Sequence, residues 1–591
     1  MSIEAYLVEL SQRHNTFHDS SKEERIALAK SVLDALVKSD WDTVDNWVDE
    51  SIKTQKISSD DKEYDSLCSI NVLLLGSILK DFLVTFTKCN EDEVPKLPTK
   101  EVGGNEVHGP FPIGPSVSGT VEIHTNQSEY STCDDTVAYD ESCPKGTVSL
   151  VLGAGNQNFL TMMDAVDRVF LHNECVLIKH HPMRPYLIKP FQRILQPLID
   201  DNIVRMVLDE GNEMTASLVK HPTVQHIHMT GSSVTYNIIK ELVTASGKSS
   251  QCGITSELGC ATPWIVVPGV WEEKELREAA TLLVGAKKEN GGCNCLAPQV
   301  LIVPSSDSNG SNNNTDSSFF DTVSFCSFIE KELRSQETVP CYYPGSTARK
   351  KQFCSLYSSE YVKSIVSDNH TINATADDDI SLIYLNSDDE NLYCIQNEVF
   401  GSLLVIVRMK YDMSDAKKYV DDVTNFVNSK IYGSLSCTLL SSKTTDVSLI
   451  DKMIADLHYG CIAVNTWTAF GYPSIAKGGV WGAHPFDKGH ESGRGRVGNV
   501  RNLNGVMKTV LRSSLDTNKL GKGSPPAWIL KIIITLAIKN AGLANAVPKV
   551  FGIVFGTVIT KLQNFLKSNS IYIVSVSLLA WSIYASNTLK K

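Results

Sequence analysis

The sequence predicts an α/β protein built on parallel sheets with helices on both faces. Three observations carry that expectation. From Gly146 onward, strand-like runs alternate with helical ones, which is the pattern of a helix-covered parallel sheet. A second α/β block runs from about Pro263 to Asn465. A strand–helix–loop unit from Glu257 to Cys295 leads into that second block, with a carboxylate at one end and a cysteine at the other.

That unit organises the rest. After Glu257-Leu258-Gly259 comes a strand-like run, Pro263 to Val267, then an amphipathic helix pattern from Glu272 to Ala286. The unit closes on Asn290-Gly291-Gly292-Cys293-Asn294-Cys295, and another strand-like run follows, Val300 to Val303. A helix that folds back beside its strand brings the two ends together. A thiol and a carboxylate facing one cleft can attack a carbonyl and then activate water.

Elsewhere the strand-like runs are Val148–Leu152, Val176–Lys179, Ile203–Leu208 and His226–Met229, with helical patterns between them at Met162–Leu171 and Tyr186–Ile199. Residues 1–105 read as a helical N-terminal extension. Lys22 to Lys38 carries a one-sided apolar stripe, and Ile70 to Lys88 is apolar but broken by Lys80 and Asp81, the pattern of a packed helix. Residues 304–318, rich in Ser, Asn and Asp, read as a flexible insertion. After Pro525-Pro526 the tail changes. Residues 525–567 are amphipathic, and 568–589 carry no charge before Lys590-Lys591. At about 1.5 Å per residue that last run is long enough to span a bilayer core of about 30 Å, as a transmembrane helix; the rival reading is a helix packed on the body or on a second subunit.

Composition narrows the class. A hydrophobic fraction of 42% with 21% charged residues is that of an ordinary globular protein with a sizeable core. A net charge of −12 argues against broad nucleic-acid binding, which wants a basic face. Fifteen cysteines with no paired spacing, and no basic start leading into an apolar run at the N-terminus, predict reduced thiols in an intracellular, cytoplasmic setting. No second cysteine pair or histidine cluster accompanies Cys293 and Cys295, so no metal site is expected.

Seven pieces, in order, resemble the aldehyde dehydrogenase superfamily over about residues 105–515: Gly153-Ala154-Gly155-Asn156-Gln157-Asn158, Val176-Leu177-Ile178-Lys179, His228-Met229-Thr230-Gly231-Ser232, Glu257-Leu258-Gly259, Asn294-Cys295, Asn397-Glu398-Val399-Phe400-Gly401 and the glycine-rich run near Gly478. The Gly-Ala-Gly-Asn loop, where most members have Pro-Trp-Asn-Phe, is similar to a divergent, acyl-CoA-reductase-like branch. The resemblance implies a Rossmann-type dinucleotide-binding domain over 106–262, a catalytic domain over 263–470 and a return segment over 471–524. It implies Cys295 as nucleophile, with Cys293 as competitor two residues earlier, and Glu257 as general base. Asn156, with Asn158 as the alternative, would be the oxyanion donor. Lys179, Gly231, Ser232 and Glu398 would be the contacts to NAD or NADP. Two departures stand out. Tyr236 replaces a family glycine and would crowd a dinucleotide, and Pro182 falls where an acid often binds the adenosine ribose, so the choice between NAD and NADP is open.

The expected reaction is oxidation of an aldehyde to an acid through a cysteine thioester. The substrate is an aldehyde, with lipid-derived ones suited to a membrane-held site, and the family habit is dimers or tetramers. The alternatives are a CoA-acylating enzyme, which needs no water-activating base, and an inactive membrane-attached scaffold with the same fold.

Overall fold

The computed structural model describes residues 2–38, 50–51, 53–56, 62–91, 93, 96–102, 104–113, 118–132, 144–305, 320–412, 415–487 and 491–517. The amphipathic tail and the 568–589 run therefore lie outside the described residues, as does nearly all of the 304–318 insertion. Among the described residues no helix is long and apolar enough to cross a membrane.

Nineteen strands are described, taken here in chain order. They are β1 (Thr99–Val102), β2 (Asn105–Pro112), β3 (Thr120–Thr125), β4 (Val148–Leu152), β5 (Val176–Lys179), β6 (Val204–Val207), β7 (Val224–Thr230), β8 (Gly253–Glu257), β9 (Pro263–Val266) and β10 (Val300–Ser305). They continue with β11 (Val362–Ser364), β12 (Ser381–Asn386), β13 (Leu403–Lys410), β14 (Ser436–Leu440), β15 (Cys461–Val464), β16 (Val480–Gly482), β17 (Gly493–Arg494), β18 (Arg496–Gly498) and β19 (Val506–Arg512).

The smaller sheet has the order β17-β8-β7-β4-β5-β6. Its strands β8, β7, β4, β5 and β6 are all parallel, with β17 added antiparallel on the β8 edge. The first of them, β4, is central: β5 and β6 extend one way, β7 and β8 the other. A ligand crevice forms at such a reversal, outside the carboxyl ends of the strands. Strands β4 and β5 are buried along their whole length, as expected of parallel strands covered on both faces.

The larger sheet has the order β1-β2-β3-β19-β15-β14-β9-β10-β13-β12-β11. Its middle, from β19 to β12, is parallel, and the strands beyond β19 are antiparallel. Strands β2 and β3 thus lie in this sheet, although their residues open the stretch read as dinucleotide-binding, and β1 falls within the stretch read as helical. The reason is a long-range pairing of β3 with β19, between residues near 120 and near 510, which no local pattern announces.

Two helices beside the sheets' junction start where the sequence supplies caps. The helix Ser233–Ala245 opens with the Ser232 side chain accepting from the Thr235 N–H. The helix Glu273–Lys288 has a reciprocal capping box between Glu272 and Glu275. It buries Leu276, Ala279, Ala280 and Leu283, at the spacing of one helical face. The N-terminal helices Ile3–Phe17 and Lys22–Lys38 and the helix Lys62–Asn90 pack on the body, with Leu7, Leu10, Phe17, Leu79 and Phe82 in the common core.

Candidate active site

Strand β8 ends at Glu257, and only Leu258 to Thr262 separate it from β9 of the other sheet. The site sits where the chain crosses between sheets. From β9 the chain runs up the helix Glu273–Lys288 and returns through 289–299 into β10, the neighbour of β9. The return loop therefore comes back beside Thr262, whose hydroxyl donates to the Cys295 carbonyl at 3.0 Å.

The loop has an unusual backbone. Asn290, Gly291 and Gly292 have φ of 55°, 63° and 73°, three left-handed residues in a row. A Cβ at Gly291 would lie 2.4 Å from the Pro340 carbonyl oxygen, and one at Gly292 would lie 2.7 Å from that of Gly401. Both glycines are demanded by sign of φ and by space. The turn is held by Cys293 N–H donating to the Asn290 carbonyl (3.0 Å), and the Trp467 indole donates to the Leu296 carbonyl (3.0 Å).

The two cysteines face different surroundings. Cys293 is fully buried, its Sγ 3.7 Å from that of Cys341 and 3.8 Å from the Ser346 hydroxyl. Cys295 is half-buried, and its thiol points at Glu257 Oε1, 4.0 Å away. The cysteines whose side chains are described are all free thiols.

Glu257 is buried, and its Oε1 accepts a 2.6 Å hydrogen bond from the Trp481 indole N–H. Its Oε2 has no protein partner. Burial, with the nearby Asp164 carboxylate adding to it, pushes the Glu257 carboxyl up to about 8 against the pull of the indole. The Cys295 thiol is pushed well above its ordinary value, first by burial and then by Glu257 and Glu398. Acid and thiol are therefore both protonated at neutral pH until a positive charge or a base arrives.

Asn156 lies against the cysteine loop. Its Nδ2 donates to the Cys293 carbonyl at 3.3 Å, and Asn290 donates to its own carbonyl at 3.2 Å. The amide has a second N–H to offer. Asn158 turns the other way, donating to the Ser51 hydroxyl and accepting from Tyr186 and Arg184. Of the two asparagines left open by the sequence, Asn156 is the one beside the loop.

Two residues that sequence reasoning missed shape this site. Trp481 is one. Arg184 is the other: fully buried, it donates to the carbonyls of Gly155 and Asn156, both at 2.9 Å, and to the Tyr342 hydroxyl. A guanidinium thus fixes the backbone of the Gly-Ala-Gly-Asn loop. No motif marks either residue; Trp481 beside the Gly478-Gly479 pair was the nearest signal.

The remaining predicted contacts lie along the carboxyl edge of the smaller sheet. Lys179, at the end of β5, forms an ion pair with Asp209, just past the end of β6. Gly231 and Ser232 follow β7, and both are exposed, so the mouth of the helix Ser233–Ala245 is open to solvent. Tyr236 shares the inner face of that helix with Ile239 and Val243, and Arg494 stands beside its hydroxyl. Glu398 accepts from the Cys260 N–H at 3.2 Å and lies so close over Gly259 that a Cβ there would collide with its carboxylate. Burial pushes the Glu398 carboxyl up to about 7. An open helix mouth, an ion pair at the next strand ends and a carboxylate near the cysteine suit a dinucleotide laid across this edge. Among the described residues no group of three or more His, Cys, Asp or Glu side chains could hold a metal ion.

Residues 116–310 match the model of the aldehyde dehydrogenase family. An aldehyde dehydrogenase LUC3 of Fusarium sp is 29% identical over 130 residues, which is 22% of this chain and 26% of that protein. The match thus spans about a quarter of the curated relative's length. Among solved structures, a succinic semialdehyde dehydrogenase from Streptococcus pyogenes in complex with NADP+ superposes with a TM-score of 0.54 at 14% identity, covering 85% of this chain and 93% of that one. PnpE in complex with nicotinamide adenine dinucleotide gives a TM-score of 0.57 at 15% identity, covering 87% and 90%. At these identities the likeness establishes the fold.

Proposed function

We propose that this chain, a member of the aldehyde dehydrogenase superfamily by fold and family model, oxidises an aldehyde to a carboxylic acid with NAD or NADP, through a thioester on Cys295. The single observation that carries the reading is the approach of the half-buried Cys295 thiol to the Glu257 carboxyl, 4.0 Å apart at the junction of the two sheets.

The residues divide the work as follows. Glu257, once ionised, takes the thiol proton, and the sulfur adds to the aldehyde carbon. The carbonyl oxygen gains charge, which Asn156 Nδ2–H and the backbone N–H of Cys295 would meet; the Arg184 bond to the Asn156 carbonyl supports that role. The nicotinamide, when bound, supplies the hydride acceptor. Lys179, Gly231, Ser232 and Glu398 would hold the cofactor. Glu257 then releases its proton to solvent and, charged again, takes one from the water that cleaves the thioester. A positioned base of this kind contributes about 10²–10⁴-fold.

The proximity of an acid to the sulfur favours water over a thiol as acyl acceptor. Glu257→Gln is expected to give one burst of reduced cofactor per site and then stall, while Cys295→Ser gives none and Cys293→Ser keeps turnover. Full steady-state turnover by Glu257→Gln, or turnover that requires coenzyme A, would sink the hydrolytic reading.

The same reading takes in the tail and self-association as a dimer or tetramer. On this reading the uncharged run 568–589, which lies outside the described residues, would anchor the chain to a membrane, where lipid-derived aldehydes partition. Full-length protein that stays in the soluble fraction, or washes off membranes at alkaline pH, would remove the anchor.

A further inference from the structure

Sequence alone left the adenosine end of the cofactor site without its acid, because Pro182 stands where one is expected. The structure supplies an acid from the neighbouring strand. Lys179 closes β5, and Asp209 lies two residues past the end of β6; their side chains form an ion pair. Asp209 Oδ1 also accepts the Gly211 N–H at 2.6 Å, in a turn that Gly211 permits with φ of 113°. The carboxylate is thus fixed from two sides while its residue keeps contact with solvent. Burial pushes it up, but the Lys179 ammonium and the Gly211 N–H pull it down further, so it stays charged.

Its position is where open α/β sheets bind an adenosine ribose. In such sheets the pyrophosphate sits at a helix N-terminus at the point of reversal, and an acid at a neighbouring strand end takes the ribose hydroxyl. Here the helix mouth follows β7, and β7, β4 and β5 are consecutive neighbours. Two strand spacings, about 10 Å, separate β7 from β5, which ends at Lys179, and a third leads to β6 and Asp209. Leu208, beside Asp209, is 41% exposed and leaves apolar surface for a base.

The basic groups at this strand end are already committed. Lys179 is held by Asp209. Arg184 is turned inward onto the Gly155 and Asn156 carbonyls. His181 is pushed down to about 4 by burial, then by Lys179 and Arg184, and is neutral at physiological pH. A 2′-phosphate would meet a charged carboxylate here, whereas a ribose hydroxyl would find an acceptor.

We propose that Asp209 accepts the adenosine ribose hydroxyls and makes the chain select NAD over NADP, an inference that rests on the dehydrogenase reading above. The test is calorimetric binding of NAD+, NADP+, ADP-ribose and 2′-phospho-ADP-ribose to the full-length protein and to Asp209→Asn and Asp209→Ser. The unaltered protein is expected to prefer each unphosphorylated ligand by at least about tenfold. Asp209→Ser should lose affinity for them and bring the ratio toward one. Asp209→Asn, which keeps an acceptor for the Gly211 N–H and so the turn, should fall between. A native preference for the 2′-phosphate, or a ratio unchanged in both variants, overturns the proposal. Intact discrimination without aldehyde-dependent cofactor reduction would overturn the dehydrogenase reading and leave Asp209 in place. Absence of binding by all four ligands overturns both.

Discussion

At the scale of residues, the site is an acid tuned by its neighbours. Three influences set Glu257: burial and the Asp164 carboxylate raise it, and the Trp481 indole lowers it, leaving it at about 8. A base acts when it has lost its proton, so the rate of thioester hydrolysis should climb with pH through about 8. Trp481→Phe removes the donor to the charged form and should move that rise to higher pH. Asp164→Asn removes a like charge and should move it lower. Single-turnover acid release across pH 6 to pH 10 measures both, and shifts of the same sign in the two variants would show that Glu257 is not the titrating group. Stability follows the same proton. The folded value lies above the ordinary 4.5, so between the two the native chain holds a proton that the unfolded chain has lost. That contribution is complete below 4.5 and is lost as pH rises through about 8. Glu257→Gln lacks the proton and should melt higher than the unaltered protein at pH 9, with a smaller difference at pH 6.

At the scale of elements, what the sequence disclosed and what it hid have separate physical origins. Strands β4, β5 and β7 were legible because buried parallel strands are short apolar runs between amphipathic helices, a purely local signal. The Asn290–Gly292 turn was legible as a tight loop, since two adjacent glycines announce backbone that other residues avoid. Convergence of Glu257 and Cys295 was legible because one strand–helix–loop unit joins them. By contrast, Trp481 reaches Glu257 across 224 positions, and no period or motif fixes a contact of that range. Arg184 was hidden for another reason. A lone arginine in the short connection between a strand-like run and a helical one reads as surface, and only the fold shows it buried on the Gly155 and Asn156 carbonyls. Asp209 combines both difficulties: it follows a different strand from the lysine it pairs with, while the position along the chain from Lys179 where an acid is expected holds Pro182.

At the scale of the whole molecule, the N-terminal helices are part of the body. Ile3–Phe17 lies along the smaller sheet, with Arg205 of β6 bonded to Glu9 at 2.9 Å and Arg13 bonded to Asp201. Lys22–Lys38 packs against the helix Lys62–Asn90, and Phe86 of the latter meets Phe170 with ring centroids 5.2 Å apart. Leu7, Leu10, Phe17, Val32 and Leu36 are essentially fully buried. At about 1.5–3 kcal/mol for each large apolar side chain removed from water, these five contribute roughly 8–15 kcal/mol. That is of the order of the whole net stability of a domain, about 5–15 kcal/mol. The first of these helices also lies against β4, β5 and β6, and the last two of those strands lead to Lys179 and Asp209. A version of the chain that begins at residue 39 should therefore be insoluble or melt far below the full chain, and lose dinucleotide binding along with its fold. A shortened chain with an unchanged melting temperature would show instead that the extension is an appendage and that the smaller sheet is stable without it.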